Sequence, residues 1–283
     1  MLIKHALIFT GYTTNIPMNA TAIALLSIFS YLSSTLLIIR NKGQSRYKKT
    51  SIFLGWVGVL SHIAFIGLSF HQSIGFNFGF FSTSSLVAMI VALLLSIASF
   101  NKPVETLGVA IFPTAASMLA LELKFPENTQ ILSQYNWEMS AHILTSIVAF
   151  SLLNIAALQA LLLAFQDQQL KSHPPKRFIQ SLPPLQTMES LLFQMLTTGI
   201  IFLTISLTTG FLFIEDLFAQ HLVHKTVLSL LAWIIFTGLL VGRRLYGWRG
   251  MTAIKWTLLG FLSLLLAYFG SKLVLELILH RAS

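Results

Sequence analysis

The chain has 283 residues, of which 55% are apolar and 10% charged, with no cysteine, a net charge of +9 and a mean hydropathy of +0.78. A soluble domain carries roughly 25% charged residues, so this composition excludes an ordinary water-soluble fold and points to repeated membrane spans. The missing cysteines exclude disulfides, thiolate metal sites and thioether-linked groups, and a basic excess gathered in inter-span loops is a topology signal that gives no support to nucleic-acid binding.

In chain order, residues 1–17 read as an N-terminal extension. Lys4 followed by HALIFTG begins like a signal peptide, but the apolar run is short, no small-residue cleavage site follows, and Met18 is an alternative start. Residues 18–283 read as a single transmembrane domain. Eight spans are predicted, at 19–39, 51–71, 83–101, 104–122, 138–165, 191–214, 224–242 and 254–278, each long enough for about 30 Å of hydrocarbon at 1.5 Å per residue. Only Asn101, Lys102 and Pro103 separate the third span from the fourth. The proline cannot continue the preceding helix and suits the first turn of the next, so a tight helical hairpin is expected. The longest connection, QDQQLKSHPPKRFIQSLPPLQTMES at 166–190, carries two Pro-Pro pairs and reads as a surface connector. Tyr135 and Trp137, at the end of the loop 123–137, fit an interfacial aromatic belt.

Lysine and arginine fall unevenly. Thirteen (Arg40, Lys42, Arg46, Lys48, Lys49, Lys102, Lys171, Lys176, Arg177, Arg243, Arg244, Arg249 and Lys255) lie on one side of this topology. Three (Lys4, Lys124 and Arg281) lie on the other, with Lys225 and Lys272 inside span ends, where they can snorkel. The bias predicts an all-α polytopic bundle of about eight transmembrane helices with both termini outside.

The histidines are the informative polar residues. His5, His71, His142, His221, His224 and His280 all fall at or near outer span ends, while His62 lies within the second span and His173 in the long loop. Imidazole both ligates metals and titrates near neutral pH, although an interfacial histidine is also an ordinary amphipathic residue. His142 opens the fifth span and His280 closes the eighth; two histidines from separate helices can approach a planar macrocycle from opposite faces. His221 and His224 are three residues apart, a spacing compatible with one divalent metal or with none. An ionisable group inside a span marks function by default, and the bland alternative for His62 is a neutral ring bonded to a Ser or Thr of a neighbouring helix. Glu189 lies near a span end, where it can reach the interface.

The remaining polar pattern reads as packing. Gly238 and Gly242 form a GxxxG expected to mark close helix approach, and Thr197, Thr198, Thr204, Ser206, Thr208 and Thr209 stripe the sixth span as interhelical hydrogen-bonding groups. There is no P-loop, no nucleophile elbow with partners and no HExxH, so the chain is not expected to be an enzyme.

AHILTSIVAFSLLNIAALQALLL, LQTMESLLFQMLTTGIIFLTISLTTGFLF, HKTVLSLLAWIIFTGLLVGRRLYGWRG and LLAYFGSKLV, in that order, resemble the cytochrome c assembly family of haem-handling membrane proteins, in its YpjD/HemX-like branch. The likeness covers about residues 18–283 and is most specific over 138–270, with YGWRG and AYFG as its best local markers. It implies a bacterial inner-membrane protein that binds haem non-covalently at the outer face, with other cytochrome c maturation proteins as partners alongside the lipid bilayer. His142 matches the first axial histidine of that family, and His280 falls where the second is expected, with His224 and His62 as further candidates. The family's tryptophan-rich loop should lie at about 215–226, where this chain reads EDLFAQHLVHKT and keeps only Lys225. An accessory role therefore fits better than that of a haem-attaching synthetase. Two other roles remain open on the residues alone: a membrane component of divalent-ion homeostasis or transport, and a structural assembly partner without a ligand.

Overall fold

The computed structural model describes residues 18–40, 45–73, 80–125, 137–171, 182–213 and 223–270. Eight long helices fill them: α1 (Met18–Arg40), α2 (Ser45–Ser73), α3 (Phe80–Asn101), α4 (Gly108–Lys124), α5 (Trp137–Lys171), α6 (Leu185–Phe213), α7 (Val223–Tyr246) and α8 (Met251–Leu265), the last extended by a π-turn over Leu266–Gly270. The described residues hold no strand, and all eight helices are long and apolar enough to cross a membrane. In hydrocarbon every backbone N–H and C=O must be satisfied within its own segment, which is why so apolar a chain resolves into helices.

The helices form two groups. In the first, α1 packs against α2 and α4, and α3 against α2 and α4. In the second, α5 packs against α6 and α8, while α7 contacts α6 and α8. The α3–α5 contact joins the groups, and one core cluster runs through both. The tightest pair is α5–α6. A Cβ on Gly199 would stand 2.8 Å from the side chain of Leu153, which is fully buried. Gly199→Ala is therefore expected to destabilise by about 1–3 kcal/mol through overpacking, read as a lower unfolding midpoint in detergent.

The connections at one end are knitted by charge. Lys48 pairs with Glu105 at 2.6 Å, and Glu189 pairs with Arg243 at 2.5 Å. Lys102 shares a polar groove with Gln186 and Ser190, so the α3–α4 turn and the start of α6 belong to the same end. The expected α3–α4 hairpin is there: Pro103 follows α3, and a 3-10 turn over Glu105–Leu107 leads into α4.

Three expectations need correction. The connector predicted at 166–190 is shorter, because α5 continues to Lys171 and α6 starts at Leu185. Pro184 accepts the N–H groups of Thr187 (2.9 Å) and Met188 (3.1 Å), so the second Pro-Pro pair opens a helix where a break was expected. The Gly238–Gly242 motif makes no helix crossing: a Cβ on Gly238 meets nothing within 4 Å, and Gly242 instead receives the ring of Trp248 from its own turn. Close approach between α7 and α8 runs through Gly260, whose Cβ would stand 2.8 Å from Phe236. The hydroxyl stripe on α6 is satisfied mainly within its own helix. Thr197, Thr198, Thr204, Thr208 and Thr209 each donate to the carbonyl four residues back. Across helices, Trp233 Nε1–H donates to Thr204 at 2.9 Å.

Candidate functional site

At the end opposite the charged connections, α3, α5, α6, α7 and α8 leave a partly open cavity of about 280 Å³. One side is polar and the body is apolar. His142 and Ser146 of α5 face the space with Ser206 and Gly210 of α6, and Phe150, Leu203, Leu207 and Leu264 line its depth. Lys225, Thr226 and Ser229 of α7 close another wall, and Tyr268 comes from the π-turn. That turn is a local widening of the helix, which re-aims the side chains it carries. It sets Tyr268 4.6 Å and Phe269 5.6 Å, centroid to centroid, from the buried ring of Phe150. Phe269 also meets Phe80 of α3 edge-on at 5.7 Å, so the AYFG run fastens α8 to α5 and α3 beside the cavity.

His142 is held in one orientation. Its Nδ1 lies 2.9 Å from the carbonyl oxygen of Ser206 and 3.3 Å from Oγ1 of Thr209. A carbonyl oxygen only accepts, so Nδ1 carries the proton and Nε2 presents its lone pair. Among the described residues Nε2 makes no hydrogen bond. A second interaction fixes the ring: a Cβ on Gly210 would stand 3.0 Å from Cε1 of His142 and 3.4 Å from Nδ1. The absent side chain is the cradle of the imidazole. Gly210→Ala is expected to push the ring off Ser206 at a cost of about 1 kcal/mol. In 15N-histidine-labelled protein the protected imidazole N–H of wild type should be lost in the variant.

His62 stands elsewhere. It is fully buried between α1 and α3, with Nε2 3.0 Å from Ser85 Oγ, Nδ1 3.5 Å from the hydroxyl of Tyr31 and its ring edge-on to Tyr31 at 6.0 Å. This is the hydrogen-bonded interior arrangement, and the structure does not bring His62 to the cavity. His224 lies in the first turn of α7 with an exposed side chain, one residue before Lys225, and is not among the cavity walls. His221 and His280 lie outside the described residues, so the expected pairing of His142 with His280 does too. Among the described residues no three His, Asp or Glu side chains gather as a metal site.

Sequence reasoning found His142 but not what holds it. Ser206 reads in the sequence as one of the hydroxyl stripe of the sixth span and Gly210 belongs to no motif there; a glycine immediately after Thr208-Thr209 is the signal available. Lys225 was read as a snorkelling residue, although it lines the cavity.

A family model described as cytochrome C assembly protein matches residues 45–279, from the start of α2 through every wall of this cavity. The chain belongs to the cytochrome c assembly family. It is similar to the inner membrane protein YpjD of Escherichia coli strain K12, with 30% identity over 259 residues, covering 90% of this chain and 98% of that protein. It is also similar to an uncharacterized 28.8 kDa protein of Azospirillum brasilense, with 33% identity over 140 residues, about half of each chain. No solved structure matches. The segment matched by the family model begins after α1, yet α1 supplies Tyr31 to His62 and, through Ser27 Oγ at 2.7 Å, a hydrogen bond to the carbonyl of Gly58. The first helix is thus integral to the packing of this member of the cytochrome c assembly family.

Proposed function

We propose that this member of the cytochrome c assembly family is a multi-pass inner-membrane protein. On this reading it binds haem non-covalently at the outer face and serves as an accessory in cytochrome c maturation. The observation that carries the proposal is the Nδ1–H bond from His142 to the Ser206 carbonyl, because it leaves Nε2 able to ligate on a ring that lines the cavity. A metal-ligating histidine is commonly held by just such a bond through its other nitrogen. The surroundings fit the group. Phe150, Leu203, Leu207 and Leu264 offer apolar walls to a macrocycle, and the Gly210 cradle keeps the imidazole from turning away.

On this reading His142 would hold the haem iron, and His280, or His224 as the alternative nearer in sequence to the cavity wall, would be the second histidine. Haem held there would supply an iron centre that takes imidazole nitrogens as ligands. The residues of this chain ligate and orient it, and no bond is made or broken by them, which is the sense in which the protein is not an enzyme. The outer placement follows from the basic connections at the opposite end of the bundle. No tryptophan occurs between residues 214 and 226, where the family's tryptophan-rich loop is expected, and this favours an accessory role over synthesis.

The test is the absorption spectrum of protein purified in detergent from cells able to make haem. A Soret band, with protohaem recovered by acid-acetone extraction, is expected. Colourless protein that also fails to take up added haemin contradicts the proposal.

A further inference from the structure

At the basic end of the bundle the α3–α4 turn stands across a polar groove of about 290 Å³ from the start of α6. The backbone of that turn is held in place. Lys102 N–H donates to the carbonyl of Ala98 and Val104 N–H to the carbonyl of Lys102, both at 2.9 Å, while the side chains of Val104 and Leu107 are buried. This fixed turn presents an exposed lysine whose natural partner, three residues on, is already taken, because Glu105 pairs with Lys48 at 2.6 Å. The other described carboxylates of that end are engaged too, Asp167 with Lys171 and Glu189 with Arg243 and Arg249. Among the described residues Lys102 makes no ion pair, and no Asp or Glu lines the groove.

The opposite wall offers hydrogen-bond donors. Ser190 Oγ accepts from Gln194 Nε2 at 3.2 Å, which leaves its own O–H to donate, and Gln186 and Thr187 line the groove beside it. A cation with hydroxyl and amide donors around it suits a compact anion rich in acceptor oxygens, as a phosphate is. Farther along α6 the same exposed face turns apolar. From Gln194 it passes through Thr198 to Ile201 and Ile205, 54% and 43% exposed, in steps of three or four residues. On a membrane-spanning helix such a face lies against acyl chains, so the groove and the face below it match the two parts of one amphipathic molecule. We propose that the groove binds the phosphate of an anionic lipid of the adjoining leaflet, with Lys102 as its charged contact and Thr187 and Ser190 as hydrogen-bond donors. The acyl chains of that lipid follow Ile201 and Ile205. This site is independent of the haem reading of the His142 cavity, which lies at the other end of the bundle.

The experiment is native mass spectrometry of the full chain in detergent, titrated separately with dioleoylphosphatidylglycerol and dioleoylphosphatidylcholine. Wild type is expected to bind a phosphatidylglycerol roughly fivefold more tightly than a phosphatidylcholine, the size of one lysine at a membrane surface. Lys102→Gln should lose that preference with its unfolding midpoint unchanged, and Lys102→Arg should keep it. Lys255→Gln, which removes the same charge elsewhere at the basic end, should also keep it, and this separates a localised site from diffuse attraction. Millimolar glycerol phosphate, which has the anion without the acyl chains, should leave the bound lipid in place. The proposal is overturned if wild type shows no preference, if Lys102→Gln retains it, or if Lys255→Gln loses it equally. Displacement of the lipid by glycerol phosphate would overturn the lipid assignment in favour of a soluble phosphate compound.

Discussion

His142→Ala protein, purified in the same detergent as wild type, is expected to lose its Soret band and to bind added haemin at least about 100-fold more weakly. The size follows from the geometry. Among the described cavity residues His142 is the one imidazole, and the other polar walls are hydroxyls, such as those of Ser146, Ser206 and Tyr268, which ligate iron poorly when neutral, and the Lys225 amine, which is cationic when protonated. The fold should survive, because the ring is only half buried and its replacement leaves the backbone carbonyl of Ser206 within a helix. His142→Gly extends the test. With the side chain gone and Gly210 still bare, millimolar imidazole should enter the vacated space and restore the spectrum. Restoration separates loss of a ligand from loss of structure.

The second large effect lies at the far end of the molecule. Glu189→Gln is expected to lower stability by about 2–3 kcal/mol, since it weakens several contacts at once. Oε1 accepts from Arg243 at 2.5 Å and lies 3.5 Å from Nε of Arg249, while Oε2 accepts the backbone N–H of Gly250 at 3.3 Å. Arg243 also lies over the ring of Phe193 at 3.8 Å, one helical turn beyond Glu189 on the same face. With a 15% exposed side chain, Glu189 is well enough buried for the pairing to matter. The turn it anchors needs positive φ at Gly247 (67°) and Gly250 (58°), and it sets Trp248 against Trp256 at 5.4 Å. The contrasting case is Lys171→Gln. That residue pairs with Asp167 at 2.7 Å but is 72% exposed, so its loss should cost less than about 0.5 kcal/mol. Thermal unfolding in detergent distinguishes the two. Haem uptake should be retained in Glu189→Gln, because Glu189 and Ser206 stand 17 residues apart along α6, roughly 25 Å at 1.5 Å per residue.

Much of this architecture is legible in the residues because the bilayer imposes a simple rule. Apolar runs of sufficient length become helices, and the described residues contain eight. What the sequence hides is how a helix ends and which neighbour a small residue serves. Pro183 and Pro184 read as breakers but lead directly into α6, since a proline just before the helix loses no helical N–H bond and the Pro184 carbonyl still accepts the first ones. Gly238 and Gly242 match a crossing motif, while the contact depends on whether another helix stands opposite, and that is a tertiary fact. The π-turn at Leu266–Gly270 leaves no mark in apolar periodicity because it follows an apolar run, FLSLLLAYFG, broken only by Ser263.

The site shows the same division. A histidine at a span end is visible, and so is the resemblance that makes it interesting. Its proton position is not, because it depends on the carbonyl of Ser206, 64 residues away. Glu189 was placed near an interface by its sequence position. That it gathers two arginines and a backbone amide follows from the α7–α8 turn folding back onto α6.

The claim that the His142 cavity is a haem site is tested most directly by spectral titration of the purified protein with haemin, run in parallel on wild type, Ser146→Ala and His142→Ala. One saturable equivalent with a histidine-ligated spectrum, retained in Ser146→Ala and lost in His142→Ala, is the predicted result. Binding of equal strength in wild type and His142→Ala would contradict it.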